Sequence, residues 1–197
     1  TWEELDKFDF KKNAFFEMFN ETPKYVHLYF DFDSITDSKQ FDEIFEWLLN
    51  LSEVFGEFSY GGYSNDKSFA NTVGFRYIAN DTHFVSMHVV YYETKMLYTE
   101  LIEIKKHTTK KGFAYNGAHE LVDHSVYSAN RIFRHVCSAK FFTPNTKDKS
   151  YPNNRNNQGT LLNGTPSQHT ITVHGDEQTV TREEWSNAFT PKNKPAT

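Results

Sequence analysis

The stretch Tyr25-Val26-His27-Leu28-Tyr29-Phe30-Asp31-Phe32-Asp33 constrains the fold more than any other part of the chain. Its aromatic and β-branched residues favour an extended strand, in which successive side chains point to opposite faces. Leu28, Phe30 and Phe32 then face a core. Asp31 and Asp33 share the other face, roughly 6–7 Å apart along the backbone. Two carboxylates so placed repel unless a positive group lies between them, and a divalent cation is the usual solution. The strand therefore calls for a sheet with one greasy face and one acidic face.

Composition sets the scale. At 197 residues, 17% of them aromatic, the chain has the material for one well-buried domain with at most a small appendage. A single cysteine, Cys137, excludes an intramolecular disulfide and a cysteine-based zinc cluster. No apolar run approaches a membrane span and no secretory core opens the chain, so a soluble intracellular protein is expected, cytoplasmic or nuclear. Four Asn-x-Ser/Thr triplets, at Asn20, Asn50, Asn80 and Asn163, are expected by chance in a chain this rich in asparagine. The start at Thr1 is expected of a processed product or a piece cut from something longer.

The formal charge of −5 is unevenly distributed. Residues 1–104 carry 8 Lys and Arg against 19 Asp and Glu, whereas residues 105–155 carry 10 against 3. A basic third inside an acidic chain is the pattern expected of a surface that holds phosphates. Lys105, Lys106, Lys110 and Lys111 taken alone are better read as a solvated face.

Periodicity and punctuation outline a mixed α/β (α+β) domain rather than a regular doubly wound sheet. Thr1-x-x-Glu4 followed by Trp2, Leu5, Phe8, Phe15, Phe16 and Phe19 predicts a first helix, ended by Pro23. Asp37 is placed to cap a second helix carrying Phe41, Ile44, Phe45, Leu48, Leu49 and Phe55, with Gly56 as its stop. Strands are predicted over 57–63, 72–79 and 82–92, with a turn at Asn80-Asp81, and a helix over 94–106. Short strands are expected at 121–123 and 132–136. The Asn-, Pro- and Gly-rich stretch 143–168 reads as a linker between a core over 1–142 and a C-terminal strand and helix over 169–197. In that last part Thr170–Val173 is the strand, and Thr181-x-x-Glu184 with Trp185 and Phe189 is the capped helix.

An Asp-x-Asp pair alone occurs in glycosyltransferases, nucleotidyltransferases and ordinary loops. Three further features accompany it. Ser86 and His88 share one face of the apolar run Phe84–Tyr91, where a hydroxyl and an imidazole could meet an anion; by itself His88 is better read as a satisfied core histidine. Leu121-Val122-Asp123 supplies a candidate third carboxylate after a short apolar run. Arg131 and Arg134 flank Ile132 and Phe133, with Lys140 six residues further on; guanidinium groups there are suited to bidentate phosphate contacts.

In this order, the hydrophobic run with Asp-x-Asp, Ser-x-His, apolar-Asp, and Val126-Tyr127-x-x-Asn130-Arg131-x-x-Arg134 through Lys140 resembles the archaeo-eukaryotic primase superfamily. The last segment is most like the primase-polymerase branch and the primase part of large-DNA-virus primase–helicases. The resemblance covers about residues 24–142. It departs from the eukaryotic branch at Phe84, where that branch often has a basic residue two positions before the serine, and in lacking a Cys/His zinc module. The resemblance implies an α/β core with an RRM-like sheet flanked by helices. It also implies DNA primase or DNA-directed polymerase activity in replication, on a single-stranded DNA template with NTP or dNTP substrates. By the same resemblance Asp31, Asp33 and Asp123 hold two Mg²⁺ or Mn²⁺ ions and no zinc. Ser86, His88, Arg131, Arg134 and Lys140 contact the nucleotide or template, Tyr127 supports the sugar or packs beneath the site, and a helicase domain accompanies the full-length protein.

Rival readings are a catalytically silent nucleic-acid-binding module, a replication-initiator nuclease with a tyrosine nucleophile, and a metal-dependent glycosyltransferase. The nuclease needs paired metal-binding histidines, whereas His83 and His88 would face opposite sides of one strand. The glycosyltransferase gives no reason for the Arg131–Lys140 segment. No Gly-x4-Gly-Lys-Ser/Thr is present, which excludes P-loop chemistry.

Overall fold

A long strand that alternates apolar and polar residues needs partners on both edges and a cover on its apolar face. The computed structural model describes residues 16–18, 25–35, 38–64, 85–108, 122–127, 132–134, 160–165, 167–173, 175 and 177–189. For 16–18, 33–34, 63–64, 85, 105–108, 132, 134, 160 and 162 it describes the backbone alone. In chain order the elements are β1 (Phe16–Met18), β2 (Tyr25–Ile35), α1 (Ser38–Phe55), β3 (Ser59–Ser64), β4 (Val85–Leu97) and α2 (Tyr98–Thr108). A 3₁₀ turn (His124–Val126), β5 (Ile132–Arg134), β6 (Thr160–Asn163) and α3 (Arg182–Ala188) follow.

The central sheet has the order β2-β4-β3-β6, with every pair antiparallel. Counting the three longer strands in sequence, the spatial order is first, third, second. The helix α1 joins the first to the second, which is the connectivity of a split βαβ unit. The other edge of β2 is occupied by two single bridges, Phe32 to Val122 and Val26 to Thr172. A separate ribbon pairs β1 with β5, Phe16 opposite Arg134. The fold class is mixed α/β, as expected.

One face of the sheet is the core. Leu28, Phe30, Phe32, Met87, Val89 and Tyr91 are all buried, and α1 lays Phe41, Ile44, Trp47, Leu48, Leu51 and Phe55 along its inner stripe. Phe30 meets Trp47 at 5.1 Å between ring centroids and Phe189 at 6.4 Å. Tyr91 buries its hydroxyl by donating to the Leu48 carbonyl at 2.6 Å. The chain leaves α1 through Gly56, whose φ of +81° admits glycine at little cost. At the far end, Thr181 and Glu184 form the expected capping box, and Trp185, fully buried, donates to Glu100 of α2 at 2.9 Å.

Several expectations are corrected. Phe16–Met18 is strand, not helix, because its backbone finds a ladder on β5. The rest of the proposed first helix lies outside the described residues, as do Asp37, the strand at 72–79 and the turn at Asn80-Asp81. Residues 94–97 extend β4 instead of starting a helix. Met96 and Leu97 pair with Val26 and Tyr25, and Thr94 donates to the Phe55 carbonyl at 2.5 Å. The helix begins only at Tyr98. Within the stretch read as linker, Thr160–Asn163 forms β6 on the edge of β3. The short strands expected at 121–123 and 170–173 are single bridges. Among the described residues no helix is long and apolar enough to cross a membrane.

Candidate functional site

The face of the sheet opposite α1 carries the polar residues. Asp31 of β2 pairs in register with His88 of β4, and His88 pairs in register with Gly61 of β3. On the other edge of β2, the Phe32–Val122 bridge continues into a 2.7 Å hydrogen bond from the Asp123 amide to the Asp31 carbonyl. Antiparallel register then sets Asp123 beside Asp31, with Cβ atoms about 4.5–5.5 Å apart in such a pair. Val122, one residue earlier, goes to the core side and is buried. One row across the sheet therefore reads Asp123, Asp31, His88, Gly61. Glycine adds no side chain beside the imidazole.

Asp31 is 13% exposed and His88 6% at the side chain, and Asp31 Oδ1 lies 3.4 Å from His88 Nε2. That separation is too long for a strong hydrogen bond, and Oδ1 is sealed from solvent with no donor among the described residues. Asp123 caps the 3₁₀ turn, its Oδ1 accepting from the Ser125 amide at 2.9 Å. The chemistry of this donor set is hard oxygen from two neighbouring carboxylates, one with a buried oxygen that finds no donor among the described residues, which suits Mg²⁺ or Mn²⁺. Among the described residues no group of three or more His, Cys, Asp or Glu side chains is arranged to hold a metal. The third carboxylate the sequence offers, Asp33, lies in the irregular stretch between Phe32 and Ile35, and its side chain is outside the described set.

Beside the acids, on the same face, lies a cluster of rings. Tyr29, on the Asp31 face one alternation earlier, packs against Tyr127 at 5.3 Å and Phe133 at 5.1 Å. Phe133 in turn covers His88 at 4.8 Å. Tyr127 is buried; burial first, then Tyr29, Asp31 and Asp123, push its phenol well above the usual range. It therefore stays a neutral donor, its hydroxyl bonding the Tyr29 carbonyl at 2.7 Å.

Of the sequence-derived site residues, Asp31, Asp123 and His88 come together. Ser86 is buried two residues from His88 on the same strand, and Tyr127 is buried near Asp31 and Asp123. Arg134 falls in β5, whose Phe133 touches His88, but its side chain is not described; Arg131 and Lys140 lie outside the described residues. Sequence reasoning missed Tyr29, Phe133 and Gly61. Gly61-Gly62 inside a strand was the available signal for Gly61, since glycine there marks a close approach. No protein-family model and no curated protein matches the chain.

Proposed function

We propose that this chain is the catalytic domain of a DNA primase-polymerase, a nucleotidyltransferase that joins nucleotides on a single-stranded DNA template with release of pyrophosphate. The observation that carries the reading is the Asp123 amide bonded to the Asp31 carbonyl, which brings two acids from distant parts of the chain onto one face. The split βαβ connectivity supports it, since the first strand carries Asp31, the third carries Ser86 and His88, and Asp123 lies beside the first. That is the order in which the primase-like motifs would have to meet on an RRM-like sheet.

Asp31 and Asp123, with Asp33, would hold the divalent ions. When bound, such ions lower the pKa of an attacking 3′-hydroxyl and neutralise a leaving pyrophosphate. His88 lies 3.4 Å from Asp31, and Phe133 packs against the imidazole and helps hold it there. Ser86, Arg131, Arg134 and Lys140 are proposed to receive the triphosphate or the template, through a hydroxyl, two guanidinium forks and an ammonium. A helicase domain in a longer protein is a natural companion for such a unit.

The test is incubation with a single-stranded template, labelled nucleotides and Mn²⁺, with and without EDTA. The wild type should give extended product that EDTA abolishes. Asp31→Ala and Asp123→Ala should give background while staying folded, Asp123→Ala at a cost of about 1 kcal/mol because it also loses the cap on the Ser125 amide. Template binding without any incorporation would favour the silent binding module instead, and undiminished product from either variant removes the mechanism.

A further inference from the structure

The 3₁₀ turn that carries Asp123 is fastened to β2 by a crossed pair of phenols. The Tyr29 hydroxyl donates to the Val126 carbonyl at 2.7 Å, and the Tyr127 hydroxyl donates to the Tyr29 carbonyl at 2.7 Å. Both residues are buried, at 0% and 4% exposure, and their rings touch. Beside this pair, the turn meets β2 through the Phe32–Val122 bridge and the Asp123 amide. The backbone contacts fix where Asp123 starts. The phenols fix the turn that follows it, whose Ser125 amide holds the Asp123 carboxylate. We propose that Tyr29 and Tyr127 are positioning residues that set the separation of the Asp31 and Asp123 carboxylates, and through it the affinity of the site for a divalent cation.

The inference rests on the metal-dependent reading above, so its test measures cation binding and not turnover. Partners that orient a metal ligand without touching the metal typically change affinity by about 10–100-fold when removed. Free Mn²⁺ is titrated by electron paramagnetic resonance against wild type, Tyr127→Phe, Tyr29→Phe and Tyr91→Phe. The last deletes an equally buried tyrosine hydroxyl, the donor to Leu48 at 2.6 Å, on the opposite face of the sheet. Tyr127→Phe should keep its far-ultraviolet circular dichroism and weaken Mn²⁺ binding about tenfold. Tyr29→Phe should act in the same direction, and Tyr91→Phe should bind as the wild type does. Wild-type affinity in both Tyr127→Phe and Tyr29→Phe, or an equal loss in Tyr91→Phe, overturns the positioning role while leaving the metal site intact. Absence of Mn²⁺ binding by the wild type overturns the metal site itself, and the positioning role with it.

Discussion

The two faces of one sheet obey different rules. On the α1 side, Phe30, Phe32 and Tyr91 are matched ring against ring by Trp47, Phe55 and Phe189, and the Tyr91 hydroxyl finds a carbonyl. On the other side Asp31 of β2 lies beside Asp123 at the head of the 3₁₀ turn, with one carboxylate oxygen that has no donor among the described residues and an imidazole 3.4 Å away. The first face is arranged for stability. The second brings like charges together, and its proposed role is to bind a cation between them. Because the strand period is two, adjacent residues such as Phe30 and Asp31 belong to opposite regimes, and substitutions at them should separate folding from function.

The largest contrast is in activity. Asp31→Asn should reduce nucleotide incorporation to background and change stability by no more than about 1 kcal/mol, as checked by primer extension alongside urea denaturation. An inactive variant that is also unfolded would erase the distinction between the faces. Next, Phe30→Ala should cost about 3–5 kcal/mol, read as a lower denaturation midpoint at unchanged slope. A loss below about 1 kcal/mol would mean that the rings of Trp47 and Phe189 are not packed around Phe30 as described.

How far the sequence reached follows the same division. The alternation over Tyr25–Phe32 and most of the helical stripe from Phe41 to Phe55 state their buried faces locally, and so does the Thr181–Glu184 box; Leu49, read as part of the stripe, is 59% exposed, and Trp47 and Leu51 are buried beside it. Periodicity and capping need only neighbours in sequence. What depended on distant partners was less legible. Phe16–Met18 looks helical until β5 supplies a ladder, and Thr94–Leu97 looks helical until Tyr25 and Val26 extend it as strand. Thr160–Asn163 is hidden among Asn, Gly and Pro until β3 pairs with it. Asp123 stood out only as an acid after an apolar pair, and its approach to Asp31 followed from motif order and not from any local pattern. The rings of Tyr29 and Phe133 gave no signal, since aromatic residues are common throughout this chain.

A smaller effect sharpens the comparison at the other end of β2. His27 donates from Nδ1 to the Thr94 carbonyl at 2.8 Å, so it has a backbone partner where His88 faces a carboxylate. Burial holds the His27 pKa below its usual 6.5 despite that bond, and Lys95 lowers it further. Below pH 6.5 the unfolded chain therefore binds a proton that the folded chain resists. Stability is full above this pH and falls as the pH drops toward the folded pKa. His27→Gln should flatten that slope in melts between pH 7 and 5; an unchanged slope would assign it to other groups.

The proposed reaction requires Asp31 and Asp123 to converge on a divalent cation. Its most direct test is anomalous X-ray diffraction from crystals soaked in Mn²⁺. The account predicts a peak within coordination distance, about 2–2.6 Å, of carboxylate oxygens from both residues. Side chains of Asp31 and Asp123 directed apart, or a manganese peak only elsewhere on the protein, would contradict it.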